Sequence, residues 1–196
     1  MIVLGIDPGT RQLGWGVVRR EGNRLVHIGH GVVRAAPTDP LAQRLCHIDQ
    51  QLSLVIERFR PDTGSVETLF FHKDAQAAAK LGHARGVALL VLARAGLSIA
   101  EYQPARVKRT IAGRGMADKR QIAMVVRAVL SLDAPPPSDA ADALALAITH
   151  LRLGSLPEAV GSRLGSAASR IRRVGIGGRP TGRGRPNVAR SPRNTT

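Results

Sequence analysis

Aromatic rings are scarce in this chain: one Trp, one Tyr and three Phe occur among 196 residues, so each exposed ring would be informative. Cysteine occurs once, at Cys46. This excludes an internal disulfide framework and fits a reducing compartment, and Cys46 itself reads as a small buried hydrophobe rather than a reactive thiol. No stretch has the length and apolarity of a transmembrane helix, and the first residues lack the basic and apolar regions of a signal peptide, so a soluble, cytoplasmic protein with no membrane partner is expected. No His/Cys set has zinc-site spacing. Acidic residues are also few, 14 against 29 Lys and Arg.

The basic excess is uneven. Residues 155–196 hold nine arginines and a single acidic residue, Glu158, among Gly, Ser and Pro, a composition that cannot repay the entropy of folding. The expectation is a disordered basic tail after a folded domain of residues 1–154. The tail carries +8 of the formal +15, leaving +7 on the domain, which favours a polyanionic partner, nucleic acid above all.

The domain is organised around its opening, Ile2-Val3-Leu4-Gly5-Ile6-Asp7-Pro8-Gly9-Thr10. An apolar, β-branched run predicts a buried strand, and Pro8-Gly9 ends it in a turn, so Asp7 stands at the strand end. Residues 13–20 and 25–34 surround a Glu21-Gly22-Asn23 turn and predict a hairpin that continues the first strand as a meander. Leu41, Leu45, Ile48, Leu52, Val55 and Phe59 make one apolar stripe on a helix. Pro61-Asp62 breaks it before a fourth strand, residues 63–69, which a helical crossover returns parallel to the first. Glu67 then comes near Asp7. Helix is predicted over 75–95, 105–111, 118–130 and 139–153, and a fifth strand over 97–102. Gly82 and Gly86, four apart, give the 75–95 helix a small face suited to close approach of another backbone. The class is α/β.

Asp139 and Asp142 are three residues apart on the first turn of the last helix. Capping accounts for such a pair by itself, but does not account for Asp7 and Glu67. Four carboxylates converging from two strand ends and a helix start repel one another unless cations lie among them. Oxygen-only donors suit Mg²⁺ or Mn²⁺, and a two-ion site in a basic protein is that of a nuclease.

Four segments in this order, Gly5-Ile6-Asp7-Pro8-Gly9-Thr10, Val66-Glu67-Thr68-Leu69-Phe70, Lys80-Leu81-Gly82-His83-Ala84-Arg85-Gly86-Val87-Ala88 and Ser138-Asp139-Ala140-Ala141-Asp142-Ala143-Leu144-Ala145, resemble the bacterial RuvC family of Holliday junction resolvases over residues 1–154. The resemblance implies an RNase H-like fold with a mixed five-stranded sheet flanked by helices, and a homodimer that nicks two strands of like polarity across a four-way junction. It also implies two Mg²⁺ or Mn²⁺ ions held by Asp7, Glu67, Asp139 and Asp142, and partnership with the branch-migration complex. Lys108 and Lys119 match family positions that contact phosphates or support the site, within a basic cluster that includes Arg114 and Arg120. Phe70 matches an aromatic that meets unstacked bases, with Phe71 as the alternative stacker. His83 stands where a glutamine is expected and reads as a surface or dimer-face residue. His150 and Trp15 read as structural. Three rivals remain at this level: a nucleotide-binding loop of the actin and Hsp70 kind, which needs a second domain that the chain has no room for; a non-catalytic DNA-binding protein; and a nuclease of the same fold for other branched DNA or RNA hybrids.

Overall fold

The central strand is Ile2–Asp7 (β1), and both of its faces are used. Strand alternation turns Val3, Gly5 and Asp7 to one side and Leu4 and Ile6 to the other; Val3, Leu4 and Ile6 are fully buried. The computed structural model describes residues 1–68, 75–113 and 117–154. The expectations for Phe70, Phe71, Arg114 and the 155–196 tail lie outside the described residues.

Gln12–Glu21 (β2) pairs antiparallel with β1, and Arg24–Arg34 (β3) antiparallel with β2. The β2–β3 turn bends at Gly22, whose φ of +58° a side chain would rarely adopt. Leu41–Phe59 (α1) then crosses over to Thr63–Glu67 (β4), which runs parallel to β1. Ala75–Arg94 (α2) crosses to Ser98–Tyr102 (β5), parallel to β4, and the sheet order is β3-β2-β1-β4-β5. Pro104–Ala112 (α3), Lys119–Leu130 (α4) and Ser138–Leu153 (α5) complete the described elements. This is the mixed five-stranded α/β sheet expected from the sequence, and β4 is an interior strand, so Glu67 is no edge residue.

The core has two layers. Leu4, Ile6, Leu13 and Val17 pack with α1 and α2 on one face, while Val3 and Val18 pack with α3, α4 and α5 on the other. On α1 the buried residues are Ile48, Leu52 and Val55, members of the predicted stripe. Cys46 is exposed, which corrects the expectation of a buried thiol. One residue past Leu45, it sits about 100° around the helix from the stripe. Trp15 packs against Phe59, with ring centroids 5.6 Å apart, as a structural residue should.

Helix α5 lies on the sheet closely enough to dictate its composition. A Cβ on Gly5 would stand 2.0 Å from the Ala143 carbonyl oxygen, and one on Gly14 1.9 Å from that of Asp139. The helix answers with Ala140, Ala141, Ala143, Ala145 and Ala147, all fully buried. From β4, the Ser65 hydroxyl donates to the Leu146 carbonyl at 3.1 Å.

Candidate active site

Asp7 and Glu67 end the two central parallel strands side by side. The register pairs Ile6 with Val66, and both carboxylates follow residues, Gly5 and Ser65, that meet α5 two positions earlier. Their carboxyl groups influence one another's proton affinity directly. Asp142 reaches the same place from the first turns of α5. That helix begins at Ser138 after Pro137, and no side chain caps it, so neither Asp139 nor Asp142 serves as the cap that would otherwise explain the pair.

Lys119 opens α4, which a capping box fixes: Gln121 N–H donates to Asp118 Oδ1 at 2.7 Å, and Asp118 N–H to Gln121 Oε1 at 3.2 Å. The Lys119 Nζ stands 3.2 Å from Asp142 Oδ2. Asp7, Glu67, Asp142, Lys119 and Lys108 line one cavity of about 220 Å³, with Pro104, Val107, Ile122 and Leu146 as apolar wall. Asp139 does not line it. One helical turn before Asp142, it acts on the site at short range, raising the proton affinity of both Asp142 and Lys119. Arg120 is exposed and outside the cavity wall.

The electrostatics are those of crowded carboxylates. Burial, then Glu67 and Asp142, push the Asp7 carboxyl up to about 8 from its ordinary 3.8. Burial likewise raises Glu67 and Asp142, and Asp142 raises Lys119. Burial and mutual repulsion thus favour the protonated form of Asp7, while the Lys119 ammonium lies beside Asp142. Among the described residues no three Asp, Glu, His or Cys side chains are gathered tightly enough to hold a metal ion as they stand. Yet the donors fit one chemically. They are oxygen-only, half-buried, and stabilised by positive charge.

His150 lies away from this set, its Nδ1 2.9 Å from the Tyr102 hydroxyl, and His83 is exposed on α2. Sequence reasoning missed Arg85, whose Nε donates to the Glu67 carbonyl at 3.2 Å. Its only signal was its place in the segment around Gly82 and Gly86 that resembles the family.

Half-buried carboxylates at the ends of parallel strands and the start of a helix, two lysines on the wall and a mixed five-stranded sheet beneath define a metal-dependent nuclease of RNase H-like fold. The chain belongs to the family of crossover junction endodeoxyribonuclease RuvC, whose model matches residues 3–150. It is 61% identical over 151 residues to the protein of that name from Sorangium cellulosum, covering 77% of this chain and 84% of the relative. To that of Rhodopseudomonas palustris it is 55% identical over 148 residues, covering 76% and 85%. Among solved structures, Thermus thermophilus RuvC in complex with a Holliday junction substrate matches with a TM-score of 0.73 at 40% identity, over 79% of this chain and 96% of that one.

Proposed function

We propose that this chain resolves four-way DNA junctions by metal-dependent hydrolysis, with Asp7, Glu67, Asp139 and Asp142 as the acidic set. The observation that carries the reading is the convergence of Asp7, Glu67 and Asp142 on one cavity whose remaining charged groups are lysines. Bound there, two Mg²⁺ or Mn²⁺ ions supply an activated water and charge at the leaving oxygen. The chain's own contribution is to place the donors. Asp7, Glu67 and Asp142 would hold the ions, with Asp139 adding charge from one turn away. Lys119 and Lys108, on the same wall, would face the phosphate, and Val107, Ile122 and Leu146 would limit water.

Symmetric cutting needs two copies. The α2 face that holds Gly82 and Gly86 supports a homodimer: a Cβ on Gly86 would meet nothing within 4 Å, and Leu90, one turn on, is 53% exposed. Arg120, Arg114 and one of Phe70 and Phe71 are the further DNA contacts this reading assigns. It also assigns a nuclease domain at 1–154, a basic 155–196 tail that adds DNA affinity, work in the cytoplasm and, by family resemblance, a branch-migration partner. Among the described residues no helix is long and apolar enough to cross a membrane.

The test is cleavage of a labelled four-way junction with Mg²⁺, Mn²⁺ or EDTA, comparing native protein with Asp7→Asn and following binding in parallel. Paired nicks that need metal and vanish in Asp7→Asn, with binding retained, are expected. Binding without metal-dependent nicks on any junction sequence overturns the proposal in favour of an architectural DNA-binding protein.

A further inference from the structure

Arg85 belongs to a segment that resembles the family yet lines no part of the cavity. It bridges three elements. From α2, its Nε donates to the Glu67 carbonyl at the end of β4, and its Nη2 pairs with Glu101 Oε2 on β5. The guanidinium side chain is 18% exposed.

The position of that carbonyl gives the contact meaning. β1 stops at Asp7, and Pro8, having no N–H, offers the neighbouring strand no further ladder donor. The Glu67 carbonyl takes its donor from Arg85. The N–H of the same peptide unit, on Thr68, donates to the Tyr102 carbonyl at 2.9 Å. One peptide plane is therefore held at both ends, by a ladder bond toward β5 and by a guanidinium from α2. Planarity of the unit makes the two bonds fix the backbone torsion that follows the Glu67 Cα, and with it the direction in which its carboxylate leaves the strand. Glu101 offsets the Arg85 charge and holds the fork in place, which suits a strut more than a phosphate contact.

We propose that Arg85, held by Glu101, is a positioning residue that aims the Glu67 carboxylate for cation binding. The inference rests on the carboxylate site proposed above. Partners that orient metal-binding side chains affect metal affinity about 10- to 100-fold, and the effect here is expected at the lower end because Arg85 acts through backbone.

The experiment uses the full chain and Mn²⁺ itself, with bound ion counted from the free-Mn²⁺ electron paramagnetic resonance signal, and Mn²⁺-dependent junction nicking, junction affinity and Tm measured beside it. Arg85→Ala and Glu101→Ala are expected to raise the Mn²⁺ concentration for half-maximal binding and nicking about tenfold, with junction affinity unchanged. Arg85→Lys, which keeps the charge but loses the fork, should fall between native and Arg85→Ala, and is read with Glu101→Ala if Arg85→Ala does not fold. A lowered Tm with an unmoved Mn²⁺ midpoint would make Arg85 a purely structural strut, and weaker junction binding with an unmoved midpoint would make it a DNA contact; either overturns the proposal. Asp7→Asn separates the two levels: if it leaves Mn²⁺ binding intact, the carboxylate site itself is wrong, whereas if it abolishes binding while the Arg85 and Glu101 variants do not move it, only the positioning role falls.

Discussion

The Asp139 carbonyl oxygen occupies the space where Gly14 would carry a side chain, 1.9 Å from the Cβ that alanine would place there. Gly14 is also the cross-strand partner of Asp7. One strand residue without a side chain therefore sets the height of the acidic helix start above the acidic strand end.

Gly14→Ala is accordingly expected to cost more than a methyl group usually does. Overpacking costs about 1 to 3 kcal/mol, and here the obstacle is helix backbone, which cannot rotate aside. Urea unfolding should show destabilisation at or above the upper end of that range, and junction nicking should fall at least tenfold in whatever fraction remains folded. Native-like stability and activity would mean that α5 sits higher than described.

The raised carboxyls predict a pH dependence for the metal-free protein. With Asp7 near 8 in the folded chain against 3.8 ordinarily, the folded state binds more protons than the unfolded one between those values. The site's contribution to stability is thus full below about pH 4 and is lost as pH rises toward 8, at a limiting slope of about 1.4 kcal/mol per unit. Asp7→Asn removes that titration. In EDTA, its Tm relative to native protein should climb from pH 5 to 8, and saturating Mn²⁺ should raise the native Tm most at the alkaline end. A Tm difference independent of pH would contradict the raised Asp7 carboxyl.

Lys119 lowers the proton affinity of Asp7 and Glu67. Lys119→Gln should therefore move the rising limb of the Mg²⁺-dependent pH–rate profile to higher pH. As the loss of a phosphate contact, it should also reduce the salt slope of junction binding by about one. An unmoved pH profile would confine Lys119 to DNA contact.

The arginines of 155–196 are expected to act through counterion release. Deleting those residues should weaken junction affinity most at low salt and leave the cut position unchanged. A shifted cut would assign the tail a part in choosing the site.

Much of the candidate site was legible because its parts are punctuated. Pro8-Gly9 marks the end of β1 and Pro61-Asp62 the return of β4, so Asp7 and Glu67 could be placed at strand ends and, through the crossover rule, near one another. The i, i+3 pair Asp139 and Asp142 was legible as a helical face. It was not legible that only Asp142 turns into the cavity, because that depends on how α5 is rotated against Gly5 and Gly14. Arg85 stayed hidden for a related reason: its acceptors lie 18 residues before it and 16 after it, on different strands. Cys46 was misjudged from residue type, although its offset from the apolar stripe pointed outward.

The seam between α5 and the strands beneath it is made largely from glycine and alanine, residues that surrender no rotamer freedom when buried. The acidic groups are thus mounted on a contact that has no alternative side-chain arrangement to sample. Their spacing is inherited from main-chain geometry, and a substitution at Gly5 or Gly14 meets helix backbone that cannot repack around it. Sequence drift there is limited by the accuracy the chemistry demands of the backbone, while the surrounding leucines and valines remain exchangeable by volume.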